Sequence, residues 1–445
     1  MAITPPTQDL IHLSYAPHPT PREGKDTTPT MISTHTISNG LRVGLEQLDT
    51  ASSVSVQVLI PAGSMYDSDK LDGLTTIFLE MLFRGADSLD AKALANAFDR
   101  AGMQRGGNVT SRHIRMNATT TGDRLEPALK LLLGVAFSPS LPSTELESAR
   151  RLCAQSLSHV QDDPNEEIGL LMRSVHILRP YHRGGLGTNT GLEEVSLPDL
   201  VARREACCVP GGAIITIAGD INPSKCVDML THLTGSLTGT APLPPTESAA
   251  SGGQWLLSRP TSQVHLAMAW DGAKAGADAE LLDRLAIGTL GGTTSGRLFT
   301  EARQRRSLCY SIGARYAATA FQGSCSIRAS TTPENVEELL NVCSKEISKI
   351  SCDLSREEVN RTKQSMSSSM VMSGESTMAR AAFLARDLCE TDTCRPLTTR
   401  IAEVESTSVD DIIDHVRSWS NISPSIVAIG PEGCVPFPEW PHSPC

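Results

Sequence analysis

The order of landmarks in the first half of this chain returns in the second half about 210 residues later. Val54, Val56, Val58 and Ile60 alternate with Ser55, Gln57 and Leu59, which predicts a strand with one strongly apolar face. Val264, Leu266, Met268 and Trp270 alternate in the same way, at an offset of 264 − 54 = 210. An amphipathic helix expected over Gly73 to Arg84 has its counterpart at about Ala279 to Leu290. Helices carrying Asp199 and Asp410 each run into a strand ending in glycine, Gly219 and Gly430, and both pairs lie 211 residues apart. Solenoid repeats have periods of roughly 20–50 residues. This period instead describes a tandem duplication of a domain of about 200 residues, a common domain size.

Between these landmarks the pattern predicts a regular alternation of strands and helices. Asn39-Gly40 marks a tight hairpin turn. Helices are expected over Asp90 to Ala101, Glu126 to Ala136 and Thr144 to Gln161, the last ended by Asp162, Asp163 and Pro164. Strands are expected over Ser111 to Thr121 and Gly211 to Gly219. Residues 1–33 are rich in proline and carry neither period, so they read as an extended arm. With Asp9, Glu23 and Asp26 set against Arg22 and Lys25, the arm is not an obvious mitochondrial import sequence. Residues 235–258 have linker composition, GSLTGTAPLPPTESAASGG followed by QWLLS. The expected division is therefore an arm (1–33), a first domain (34–234), a linker (235–258) and a second domain (259–445).

Charge and composition narrow the function. A net charge of −11 argues against a nucleic-acid binder. No apolar run approaches the roughly 18–20 residues that span a bilayer. The 12 cysteines form no C-x-x-C pair and read as mostly buried thiols of a reducing compartment.

The segment Gly73 to Gly85, GLTTIFLEMLFRG, places Leu74, Ile77, Phe78, Met81 and Leu82 on one helical face. Asp72 is the expected N-cap and Gly85 the expected stop. The pattern alone describes a core helix. The segment also resembles the signature helix of the insulinase/pitrilysin-like metallopeptidases, which carries H-x-x-E-H between two such glycines. Aligned glycine to glycine, the first histidine falls on Thr76, the catalytic glutamate on Leu79 and the second histidine on Glu80. The family's remaining ligand, a glutamate on a later helix that ends in D-D-P, falls on Ser156. A one-residue slip places the histidines on Ile77 and Met81 and the last ligand on Gln155 or Leu157, so neither register supplies the set. His113, His159 and His182 stand without partners at ligand spacing. Zinc lowers the pKa of its bound water from about 15.7 to about 7. Without it roughly 12 kcal/mol of nucleophile activation is missing, at about 1.36 kcal/mol per unit.

In the second half Arg303 and Tyr310 match an arginine–tyrosine segment that faces the cleft in the family, with Ala302 where leucine is usual. Gly291, Gly292 and Gly296 match the glycine-containing loop before it. The same residues also suit a turn and the start of a strand. The resemblance covers about residues 35–440. It implies an α+β fold of two tandem homologous domains, each a mostly antiparallel sheet covered by helices, closing like a clam around a cleft. The closing stretch Gly430 to Pro436, GPEGCVP, resembles the end of mitochondrial processing peptidase subunits and of their relatives, the core proteins of ubiquinol–cytochrome c reductase (respiratory complex III). The resemblance thus implies a non-catalytic scaffold without metal or cofactor. It would be peripheral on the matrix side of the mitochondrial inner membrane, paired with a homologous core subunit and bound to the membrane subunits of complex III. The alternatives are the non-catalytic, substrate-handling subunit of a processing peptidase and the inactive partner of a bacterial zinc peptidase.

Overall fold

The computed structural model describes residues 31–434, apart from the side chains at 420 and 421. The proline-rich arm and the Val435-Pro436 end of the closing motif lie outside the described residues.

Two sheets carry the fold. The first has six strands in the spatial order Ile32–Thr36, Arg42–Gln47, Ile214–Gly219, Val54–Ile60, Ile114–Thr120 and Gln104–Val109. The second has five: Gln254–Ser258, Ser425–Gly430, Val264–Gly272, Gly323–Thr331 and Cys309–Ala318. Without the first sheet's outer strand Ile32–Thr36, the two orders are the same. Each sheet contains one parallel pair, and the registers agree. Val43 faces Ile215 in the first sheet and Gln254 faces Ile426 in the second, offsets of 211 in both strands (254 − 43 and 426 − 215). All other pairings are antiparallel. The architecture is α+β, two sheets covered by helices in tandem.

Helix Leu74–Leu82 buries Ile77, Phe78, Met81 and Leu82 completely against the first sheet, each side chain contributing roughly 1.5–3 kcal/mol. Its start differs from the sequence expectation. Gly73, not Asp72, is the N-cap, with φ of 120°, a backbone conformation that favours glycine. The carboxylate of Asp67 takes the capping role, accepting from the backbone N–H of Thr75 at 3.1 Å and from its hydroxyl at 2.6 Å. Arg203 closes this buried cluster, 2.9 Å from Asp67 and 2.8 Å from the Thr75 hydroxyl. The helix ends at Leu82, three residues before the expected stop at Gly85.

The sequence pattern missed several helices, and two of them join the halves. Pro164 does not only end the helix Leu146–Asp162. It opens a second one, Pro164–His176, with Asp163 as N-cap. This helix belongs to the first half but lies on the second sheet, where Ile168, Met172 and Val175 pack on Ala267, Ala269, Val427 and Ile429. Helix Thr377–Glu390 of the second half makes the reciprocal crossing. It covers the first sheet, with Arg380 paired to the buried Glu46 at 3.0 Å and the Thr377 hydroxyl 2.9 Å from that of Ser55. The strand Val54–Ile60 is therefore buried on both faces, including Ser55 and Gln57, which alternation assigns to the less apolar side.

The stretch expected as linker is exposed and without helix or strand only up to Gly253, because Gln254–Ser258 pairs as a strand of the second sheet. Cys207 and Cys208 close the helix Leu197–Cys207, and both are buried.

Candidate functional site

Thr76, Leu79 and Glu80 occupy the half-exposed side of helix Leu74–Leu82, whereas Ile77 and Met81 are fully buried. The slipped register would place both histidine positions, Ile77 and Met81, in the core. On the helix Leu146–Asp162, which packs against the first, Gln155 and Ser156 are exposed and Leu157 is buried. Each of the four positions makes contacts within the chain. The Thr76 hydroxyl donates to the carbonyl of Gly185. Leu79 lies under Gly107, where an added Cβ would come within 2.8 Å of its methyl group. Glu80 is 4.0 Å from Arg84, whose guanidinium also holds Glu145 at 3.0 Å. The Ser156 hydroxyl donates to Leu152 of its own helix at 3.0 Å.

The donor set does not fit zinc, which requires nitrogen, thiolate or carboxylate ligands. Glu80 is the one carboxylate among the four positions. Cys153, one turn before Ser156, is buried, and burial with the nearby Glu80 charge pushes its thiol up to about 12, far from the thiolate a metal needs. Among the described residues no three His, Cys, Asp or Glu side chains are grouped as a metal would need them. His113 is buried at the seam between the halves, its Nδ1 3.6 Å from the Cys389 sulfur. Burial holds its imidazole down to about 3, helped by Arg112, Arg42 and Arg115.

The second-half candidates form a separate group. Phe299–Arg305 is a π-helical turn, and the Arg303 guanidinium lies 4.9 Å from the Phe299 ring centroid and 5.5 Å from that of Tyr310. Both distances are in the cation–π range. Tyr310 is 76% exposed, so this stack presents a surface rather than filling a core. Gly291 lets the end of helix Glu280–Gly291 approach the strand Cys309–Ala318, since a Cβ there would stand 2.9 Å from the backbone nitrogen of Ala314. A Cβ at Gly296 would meet Gly291 at 3.0 Å, and one at Gly292 would meet Gly288 at 2.9 Å. Close packing accounts for these three glycines. Among the described residues no hydrogen bond, ion pair or ring contact joins Arg303 or Tyr310 to the four first-half positions.

Residues 42–183 match the family description "Insulinase (Peptidase family M16)", and residues 194–366 match "Peptidase M16 inactive domain". An uncharacterized zinc protease of Bacillus subtilis is 23% identical over 415 residues, spanning 91% of this chain and 100% of its own. A crystal structure titled as the peptidase M16 inactive domain from Pseudomonas fluorescens superposes with a TM-score of 0.81 at 20% identity, covering 90% of this chain and 98% of that one. A chain of complex III from Candida albicans gives 0.76 at 18% identity, covering 90% and 96%.

Proposed function

Because this chain belongs to the insulinase-like peptidase family M16, in its two-domain form, we propose that it is the non-catalytic member of a two-chain peptidase of this family. In this reading it pairs with a homologous, zinc-bearing chain and contributes its own cleft to substrate handling. One observation carries it: the first metal-ligand position is Thr76, and its hydroxyl is already spent on the Gly185 carbonyl. The other three positions supply a leucine, a glutamate facing Arg84 and a serine bonded within its helix. The likeness to bacterial zinc proteases over almost the whole chain supports a peptidase setting.

The second reading is the complex III core subunit, and the likeness to a chain of the Candida albicans complex favours it. In that reading the protein is peripheral on the matrix side of the inner mitochondrial membrane. No helix among the described residues is long and apolar enough to cross a membrane, which agrees with either reading.

Purification of the native protein under mild conditions, with identification of what accompanies it, tests the choice. A co-purifying homologue with an intact H-x-x-E-H helix is expected. A haem-bearing membrane complex with a second subunit of similar size would replace the first reading by the second. A chain that travels alone would overturn both.

A further inference from the structure

One cavity between the halves and a second on the second half are lined mainly by charges of one sign. One, of about 420 Å³, is lined from both halves by Arg112, Arg115, Arg173, Arg183 and Arg386, with Glu390 as its one carboxylate. The other, of about 500 Å³, is lined by the Gly291–Thr294 loop and by Arg315 and Arg328. Helix Pro164–His176 connects them. The Arg328 guanidinium lies against Gly169, where a Cβ would come within 2.7 Å of it, and the next turn supplies Leu170 and Arg173 to the first cavity.

Some of this charge is matched. Arg183 meets Asp69 at 2.5 Å, Arg386 meets Glu280 at 3.6 Å and Arg112 meets Glu390 at 3.7 Å. Four guanidiniums are not. Arg173 is held by the carbonyls of Tyr181 at 2.6 Å and Arg183 at 3.3 Å, and no carboxylate among the described residues pairs with it. The Nε of Arg115 is buried and has no hydrogen-bond partner. Arg315 and Arg328 are exposed and, among the described residues, make no ion pair. A buried, unpaired donor is destabilising unless a ligand satisfies it.

We propose that this trough holds an acidic, extended peptide segment. The unmatched charges are spread along two cavities, more than one phosphate or carboxylate fills. The first cavity reaches Val109, the end of the outer strand Gln104–Val109, and the second follows the outer strand Cys309–Ala318. Each of these strands pairs on one side only, so its other edge offers backbone donors and acceptors to an extended chain. Guanidiniums spaced along such a path suit carboxylates at intervals on a peptide. The inference rests on the non-catalytic reading in one respect: the peptide is held, not cut.

The test uses fluorescence anisotropy with a short Glu-rich peptide, its Lys-rich counterpart and inorganic phosphate as competitor, on the full chain and on whatever assembly co-purifies with it. The Glu-rich peptide is expected to bind and the Lys-rich one not. Reversing both exposed charges, Arg315→Glu with Arg328→Glu, should weaken the acidic peptide about tenfold or more, about 1.4 kcal/mol. Both side chains are exposed, so an unchanged melting temperature separates this effect from misfolding; Arg115→Gln provides a second variant with the same expected direction. Equal binding of the two peptides, no loss in the reversed variant, or complete competition by phosphate would overturn the proposal. Mass spectrometry of the bound peptide keeps the two readings apart. Cleavage by the isolated chain would sink the non-catalytic assignment while leaving the charge selectivity standing.

Discussion

The two crossing helices perform one architectural task with opposite chemistry. Helix Pro164–His176 meets the second sheet through aliphatic side chains, Ile168, Met172 and Val175 on Ala267, Ala269, Val427 and Ile429. Its polar ties are peripheral: Glu167 to Arg259 at 2.7 Å, and Asn165 to His265 at 3.3 Å. Helix Thr377–Glu390 meets the first sheet through polar groups buried at its centre. Arg380 pairs with Glu46, Thr377 bonds Ser53 and Ser55, and the Ala381 carbonyl accepts from Thr216 at 2.7 Å. Burial raises the Glu46 pKa, and Arg380 pulls it back down. An aliphatic contact gains by area and tolerates small changes of register. A buried ion pair gains little net energy but is costly to break, so it fixes one seating of the helix. The first sheet is thus held in one specific arrangement, the second by bulk burial.

The largest effect should come from breaking the polar seam. Arg380→Met leaves Glu46 buried without its cation and should cost about 3–5 kcal/mol in urea unfolding. A loss below about 1 kcal/mol would mean that the seam is solvated in solution. On the aliphatic side, Ile168→Ala removes a fully packed side chain and should cost about 3 kcal/mol, within the range for such truncations. The comparison sharpens if a second aliphatic residue restores part of that loss while no single substitution rescues Arg380→Met.

A smaller effect tests the seam by pH. His113 titrates near 3 when folded and near the ordinary value of about 6.5 when unfolded. Between those values the unfolded chain binds the extra proton. The contribution is therefore fully present above about pH 6.5 and is lost as the pH falls toward 3. By pH 5 the loss should reach about 2 kcal/mol, at about 1.36 kcal/mol per unit. His176 and His265, also drawn down by burial, act in the same direction. Denaturant melts at pH 7 and pH 5 check this, and His113→Asn should flatten the difference. An equal slope in the variant would place the acid sensitivity elsewhere.

What the sequence made legible follows from range. The duplication, the strands Val54–Ile60 and Val264–Gly272, and the signature helix are local patterns, and the matching registers at 211 come from the same repeat. The crossing helices are not local. Ser55 and Gln57 read as the less apolar side of a strand, and only a helix more than 300 residues away turns them into buried groups. Asp67 caps the signature helix from outside any capping spacing, so Asp72 looked the better choice. At the candidate site the family frame gave the positions, but not what holds them. Nothing in the spacing points from Thr76 to Gly185, or from Arg84 to both Glu80 and Glu145. The arginines of the trough are scattered over residues 112–386 and form no motif.

The central claim is that Thr76, Leu79, Glu80 and Ser156 leave this chain without a catalytic metal. Zinc analysis of the isolated, purified chain, paired with a peptide-hydrolysis assay on the same sample, tests it directly. The account predicts zinc well below one per chain and no hydrolysis, with Glu80→Ala changing neither. About one zinc per chain, together with hydrolysis that disappears in Glu80→Ala, would contradict it.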